Sequence, residues 1–213
     1  MKVMVLGGGG REHAVVHAFS KSAIVSELHC CPGNPGISKI AVCHTGNPSD
    51  PEEMADLCRS LGIELVFVGP EAPLVAGTAD RLRDSGILVM GPGKLGAQLE
   101  GSKAFSKQFM ARHGIPTSAF DCCCDIETCR KALEKRSAPF IVKADGLAAG
   151  KGAFILDTLD EAISICSKLL DDNMLGEAGR TIVIEDFVSG QEMTVLALTD
   201  GETVRILPSS QDH

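Results

Sequence analysis

Residues 142–152 read VKADGLAAGKG: a lysine at the end of an apolar run, a bare loop of glycine and alanine, and a second lysine at its close. Apart from Lys143 and Lys151, Asp145 is the only side chain of the stretch equipped for polar chemistry. Glycine tolerates positive φ and lets main-chain amides approach a ligand closely. Consecutive N–H groups in such a geometry form an anion-binding concavity, and lysine adds a compact positive charge. The stretch therefore reads as a phosphate cradle between two strands, Phe140–Lys143 and Ala153–Leu156, in a hairpin-like arrangement. Lys143 lies inside the apolar run, where an ammonium costs free energy unless its charge meets a partner.

Two familiar glycine-loop patterns do not describe this chain. The P-loop pattern GxxxxGK[ST] fails because Gly146 and Gly150 are one residue too close, and Gly152 stands where the magnesium-binding hydroxyl belongs. Near the start, Gly7-x-Gly9 opens the dinucleotide pattern GxGxxG, but Glu12 occupies its third glycine position. Gly-Arg-Glu-His at a helix start pairs amide donors with a cation, which suits a sugar-phosphate better than a dinucleotide.

Upstream of residue 92 the chain alternates strands and helices. Lys2–Leu6, Val25–Cys31, Glu64–Gly69 and 87–91 read as strands. Arg11–Ser22, Pro51–Leu61 and a single segment over 73–86 read as helices, the second capped by Ser49 or Asp50 and stopped by Gly62. Such alternation predicts an α/β, doubly wound parallel sheet, with ligands at the carboxyl ends of its strands. Three loops fall there: Gly7–His13, Pro32–Gly36 and Gly69–Glu71. Downstream the rhythm becomes mixed α+β. Ser102–His113 and Leu159–Leu170 read as helices and 181–187 as a buried strand; 192–198 and 203–208 flank a hairpin turn at Asp200-Gly201. The segment IEDFVSGQE (184–192) offers backbone groups to a purine edge and Glu192 to ribose hydroxyls.

The 213 residues carry a net charge of −8, with pI near 5.2, which argues against a general nucleic-acid binder. No apolar run reaches the ~18 residues of a membrane span, and MKVMVLGGGG is too short in its apolar part for a signal peptide. Nine cysteines, several of them contiguous (Cys30-Cys31, Cys122-Cys123-Cys124), lack the spacing that converges thiolates on zinc. Reduced thiols in a cytoplasmic protein are expected.

Taken in order, VLGGGGREHA (5–14), PGNPG (32–36), VGPEAPLVAG (68–77), LEGSKAFSK (99–107), GIPT (114–117), VKADGLAAGKG, IEDFVSGQE and LPSSQDH (207–213) span the chain from end to end. The series resembles the phosphoribosylamine–glycine ligase family of ATP-grasp enzymes. The resemblance implies a division into a phosphoribosylamine-binding domain (1–101), a linking helix segment (102–120), a lid subdomain (121–187) and the start of a second lobe (188–213), the ATP-grasp α+β region being incomplete. It implies that ATP phosphorylates the glycine carboxylate and that the amine of 5-phosphoribosylamine displaces phosphate from the acyl phosphate. Lys103 and Lys143 match lysines on the ATP phosphates. Gly146, Gly150, Lys151 and Gly152 match the lid loop, and Glu185, Val188 and Glu192 the adenine and ribose contacts. Gly9, Arg11, Glu12, Asn34 and Glu71, with Asp212, match the phosphoribosylamine site.

Family chains run to roughly twice this length. The resemblance places the Mg²⁺ ligands beyond residue 213; of the acidic residues after 192, Asp200, Glu202 and Asp212 do not fall at matching positions. No catalytic residue is assigned within the chain. Two expectations follow. One is a ligase piece that works with a missing C-terminal half or self-associates through an unpaired strand edge. The other is a non-catalytic remnant that binds nucleotide or sugar-phosphate.

Overall fold

β1 (Lys2–Gly7) is buried along nearly its whole length, the mark of a strand covered on both faces. The structure, a computed structural model, describes residues 1–148 and 150–211. The chain continues through α1 (Gly10–Ser20), β2 (Glu27–Pro32), the short β3 (Val42–Cys43), α2 (Pro51–Leu61) and β4 (Leu65–Val68). α3 (Glu71–Ala76), α4 (Thr78–Asp84), β5 (Leu88–Met90) and α5 (Lys94–Gly101) complete the first region. The five strands are parallel in the order β3-β2-β1-β4-β5. Alternate residues of β1 face opposite cores. Met4 and Leu6 pack with Met54, Cys58 and Leu82 of α2 and α4, whereas Val5 packs with Val16 of α1 and with Ile37. The sheet is doubly wound, and its strand order reverses between β1 and β4, where ligand crevices form.

Local chemistry explains most boundaries. Asp50 caps α2 by accepting from Glu52 N and Glu53 N, both at 3.1 Å, and Gly62 ends it in the left-handed conformation, φ 66°. The single helix expected over 73–86 is two helices. Gly77 adopts φ 93° and turns the chain between α3 and α4, which an interior helical residue would not do.

In the second region α6 (Lys103–Arg112) leads to β6 (Phe120–Cys123), α7 (Ile126–Leu133), β7 (Phe140–Ala144), β8 (Ala153–Leu156), α8 (Leu159–Leu170) and β9 (Ile182–Glu185). The strands form an antiparallel sheet, β6-β9-β7-β8. One core joins it to two helices: Cys129 and Leu133 of α7 and Cys166 and Leu169 of α8 meet Val142, Ile182 and Ile184. β10 (Ala197–Thr199) and β11 (Val204–Ile206) pair as the expected hairpin but every residue of both is exposed. No helix among the described residues is long and apolar enough to cross a membrane.

Candidate functional site

One wall of a cleft is the carboxyl edge of the parallel sheet. Glu12 sits in the first turn of α1, only 6% exposed, and its Oε2 accepts from Gly9 N at 2.7 Å. Its stem lies against Gly7, whose φ is +125° and where an added Cβ would come within 2.5 Å of Glu12 Cγ. A third glycine would leave that loop without its internal acceptor. Asn34 ties the next loop in the same way: its Oδ1 accepts from Gly36 N at 2.8 Å and Ile37 N at 2.9 Å, while Nδ2 donates to Gly8 O at 2.9 Å. Gly33 N adds a bond to Gly7 O at 3.1 Å. Arg11, 81% exposed at its side chain, reaches Glu71 Oε1 at 3.3 Å. The three loops therefore meet at one edge, with Arg11 and Glu71 facing outward and Glu12 and Asn34 bonded to backbone.

The opposite wall begins at α6. Ser102 Oγ accepts from Phe105 N and donates to Asp145 Oδ1, both at 3.0 Å. Ala104 N donates to the same carboxylate oxygen at 2.6 Å, and Lys103 N to Asp145 O at 3.1 Å. Asp145 thus fastens the root of the bare loop to the start of the helix. Lys103 Nζ rests on main-chain carbonyls alone among the described residues, Gly146 O at 3.3 Å and Asp145 O at 3.5 Å. Gly146 and Gly152 are sterically required, since a Cβ would lie 2.9 Å from Ala178 Cα and 2.8 Å from Ala148 Cβ respectively.

Glu185, 6% exposed at the end of β9, lies between two ammoniums: Lys143 Nζ is 3.0 Å from Oε1 and Lys107 Nζ 2.8 Å from Oε2. Ser118 Oγ donates to Oε2 at 2.9 Å. Burial raises the carboxyl's pKa, but the hydrogen bonds from Lys107, Lys143 and Ser118 outweigh it and leave the group below its ordinary value.

Both walls line one cleft of about 750 Å³, in which Arg11 and Glu71 face Lys103, Lys107, Lys143, Gly150 and Glu185, with Leu99, Met110 and Leu147 as apolar lining. An open cavity of this size, with convergent cations on apolar walls, suits an elongated polyanion carrying an apolar group. Gly146 borders the site through its carbonyl; Lys151 is exposed and Gly152 buried. Val188 and Glu192 are exposed and are not among the residues lining the cleft. Glu192 instead borders a separate hollow of about 460 Å³ with Gln191, Met193 and Ser209. Asp212 lies outside the described residues. Lys107 is a site residue that sequence reading missed; its position one helical turn after Lys103 was the available signal. Among the described residues no group of three or more His, Cys, Asp or Glu is gathered to hold a metal. The nine cysteines are unbridged, and burial pushes the thiols of Cys30 and Cys58 up to about 12.

Residues 1–100 match the N domain of phosphoribosylglycinamide synthetase, and residues 101–213 its ATP-grasp (A) domain. The chain belongs to the phosphoribosylglycinamide synthetase family. Among curated members, the phosphoribosylamine–glycine ligases of Rhizobium meliloti and Escherichia coli K12 are 43% and 42% identical to it, over 100% of this chain and 50% of theirs. The crystal structure of the Thermotoga maritima ligase superposes with a TM-score of 0.83 at 33% identity, covering 98% of this chain and 49% of that one. The biotin carboxylase domain of Hydrogenobacter thermophilus 2-oxoglutarate carboxylase, a complex with MgADP, ADP and bicarbonate, shares the fold at a TM-score of 0.79 and 21% identity. It covers 98% of this chain and 49% of its own. The chain thus spans about half the length of the family members it matches.

Proposed function

We propose that this chain supplies the ATP- and phosphoribosylamine-binding part of a phosphoribosylamine–glycine ligase acting in cytoplasmic purine synthesis. The observation that carries the reading is the single cleft in which Arg11 and Glu71 at a sheet's carboxyl edge face Lys103 and Lys143 on a glycine-loop hairpin. The donor set fits a triphosphate: among the described residues Lys103 Nζ has only carbonyls to relinquish, Gly146, Gly150 and Gly152 let the main chain approach closely, and Lys151 adds a charge at the loop's close. We place Glu185, which lines the cleft, toward adenine and ribose, together with Val188 and Glu192, which follow β9 in the chain but do not themselves line the cleft. Gly9, Arg11, Glu12, Asn34, Glu71 and Asp212 are those we place toward the sugar-phosphate amine, several of them by shaping backbone rather than by touching it.

ATP supplies the phosphoryl group that activates glycine. The γ-phosphoryl moves to the carboxylate and ADP leaves; the amine nitrogen then attacks the carbonyl, and phosphate departs with formation of the amide. The lysines neutralise charge spread over the transferring group, and the cleft holds the reactants in register. We assign Mg²⁺ to the part of the family protein that this chain does not span; among the described residues no group of three or more His, Cys, Asp or Glu is gathered to hold a metal. The apolar side chains exposed on and just before the β10–β11 hairpin, Met193, Val195, Leu196, Val204 and Ile206 among them, are where that part would pack.

Titration calorimetry with ATP and with a stable phosphoribosylamine analogue tests the reading. Both should bind the 213-residue chain, and ADP release dependent on glycine and phosphoribosylamine should require a second polypeptide carrying the remaining half. Failure of ATP to bind would discard the proposal. Robust turnover by the chain alone would show the metal site to be misplaced.

A further inference from the structure

We propose that Lys107 is a positioning residue that keeps the charge of Lys143 available to an anion in the cleft, by neutralising Glu185 from the buried side. The inference rests on the reading of the cleft as a polyphosphate site.

Lys107 borders the cleft, but its ammonium is already committed to protein groups. It is 8% exposed, and its ammonium meets Thr117 Oγ1 at 2.8 Å, Ser118 Oγ at 2.7 Å and Glu185 Oε2 at 2.8 Å. Three donors are thereby matched to three acceptors, which exhausts a lysine. The ammonium also lies 5.8 Å from the centre of the Phe120 ring, whose face favours a cation. Lys143 is different: its side chain is 30% exposed, it lines the cleft, and it touches the other carboxylate oxygen, Oε1.

The consequence is a matter of which groups are left behind. A phosphate that draws Lys143 away from Glu185 leaves that carboxylate still bonded to Lys107 and Ser118, so no buried charge is stranded. With a neutral residue at 107, the same movement would abandon a buried carboxylate, and breaking a buried pair on one side is strongly unfavourable. Lys143 would stay clamped. In charge terms, two ammoniums on one carboxylate present one net positive charge to the cleft, whereas one on one presents none. The far end of the network, not the lysine that meets the ligand, decides whether this wall attracts anions.

The test is calorimetric titration of the 213-residue chain with inorganic tripolyphosphate, ATP and adenosine. Lys107→Met should weaken tripolyphosphate about tenfold, the size of a lost charge contribution, and leave adenosine within about twofold. Lys107→Arg should retain tripolyphosphate binding. The double variant Lys107→Met/Glu185→Gln, which removes both buried charges, should recover most of the loss. A parallel loss for adenosine and tripolyphosphate would mean a merely structural role and overturn the inference; so would a double variant no better than Lys107→Met, or a wild-type chain that does not bind tripolyphosphate. Should Lys107→Met fail to fold, the double variant decides alone: binding weaker than about a third of wild type overturns the inference. Wild-type binding of tripolyphosphate with no added affinity for ATP would remove the nucleotide reading and leave the role of Lys107 standing.

Discussion

Both walls of the cleft are built on glycine, yet they are held in opposite ways. At the edge of the parallel sheet, Glu12 and Asn34 spend their polar atoms on neighbouring backbone, so the Gly7–Glu12 loop is fixed by its own hydrogen bonds. Across the cleft the Gly146–Gly152 loop is anchored at its root by Asp145; Lys103 rests on carbonyls of that root, while Lys107, Lys143 and Glu185 pair with each other. The first wall is preformed; the second is a set of charges awaiting redistribution. Under the proposed function, the rigid wall would face the sugar-phosphate and the adjustable one the triphosphate, as closure over a bound nucleotide requires.

The largest effect should fall on the charged wall. Glu185→Ala leaves Lys107 and Lys143 facing a void and should cost about 3–5 kcal/mol in a denaturant melt; a cost under about 1 kcal/mol would show that this wall does not depend on its central carboxylate. The same group sets a pH dependence. Because the folded state holds Glu185 below its ordinary value, its contribution is complete above the unfolded value of about 4.3. It is lost as pH falls through the depressed folded value. The stability gap between wild type and Glu185→Gln should therefore close on acidification, and a gap that widened would reverse the assignment.

The preformed wall is tested by Gly8→Ala. A Cβ there would lie 2.5 Å from Gly33 O, a backbone atom that cannot swing aside, so about 1–3 kcal/mol should be lost to overpacking. Gly10→Ala, with nothing within 4 Å, is the control, and equal losses for the two would erase the distinction. A smaller cost, about 1 kcal/mol from the left-handed strain alone, is expected for Gly150→Ala, since its φ is +80° in open space. ATP affinity should suffer more than melting temperature there. Least affected in stability is Arg11→Ala: its ion pair with Glu71 is solvent-exposed and of little weight, so the melt should not move while affinity for the phosphoribosylamine analogue drops.

The division between preformed and charged walls also marks what could be read from sequence. α2 was legible from end to end because Asp50, Pro51 and Gly62 act within a few residues of themselves. β1, β4 and the 140–156 hairpin were legible from apolar runs bounded by glycine. Gly77 misled, because an isolated glycine in a helical pattern carries no local sign that it will take φ 93°. β6 and α7 were not read, the cysteine run masking the strand; yet Asp125 before Ile126, Cys129 and Leu133 offered a cap followed by helical spacing. The loops gathered at the first sheet's edge followed from the doubly wound topology. The network of Lys107, Ser118, Lys143 and Glu185 did not: Ser118 meets Glu185 across 67 residues and Lys107 meets it from farther still, and no local pattern encodes such a meeting.

The bond from Ala104 N to Asp145 Oδ1 has an experimental use. Amides in the first turn of a helix lack an intrahelical acceptor and, left to water, trade their protons quickly. That of Ala104 is satisfied by a carboxylate 41 residues away, so its deuterium uptake requires the root of the glycine loop to come undone. Hydrogen exchange at this one amide, followed by NMR, therefore times the opening of the loop from a helix that need not itself unfold. A polyphosphate that seats the loop should slow the clock at Ala104 while leaving amides of the exposed β10–β11 hairpin, which does not line the cleft, unchanged.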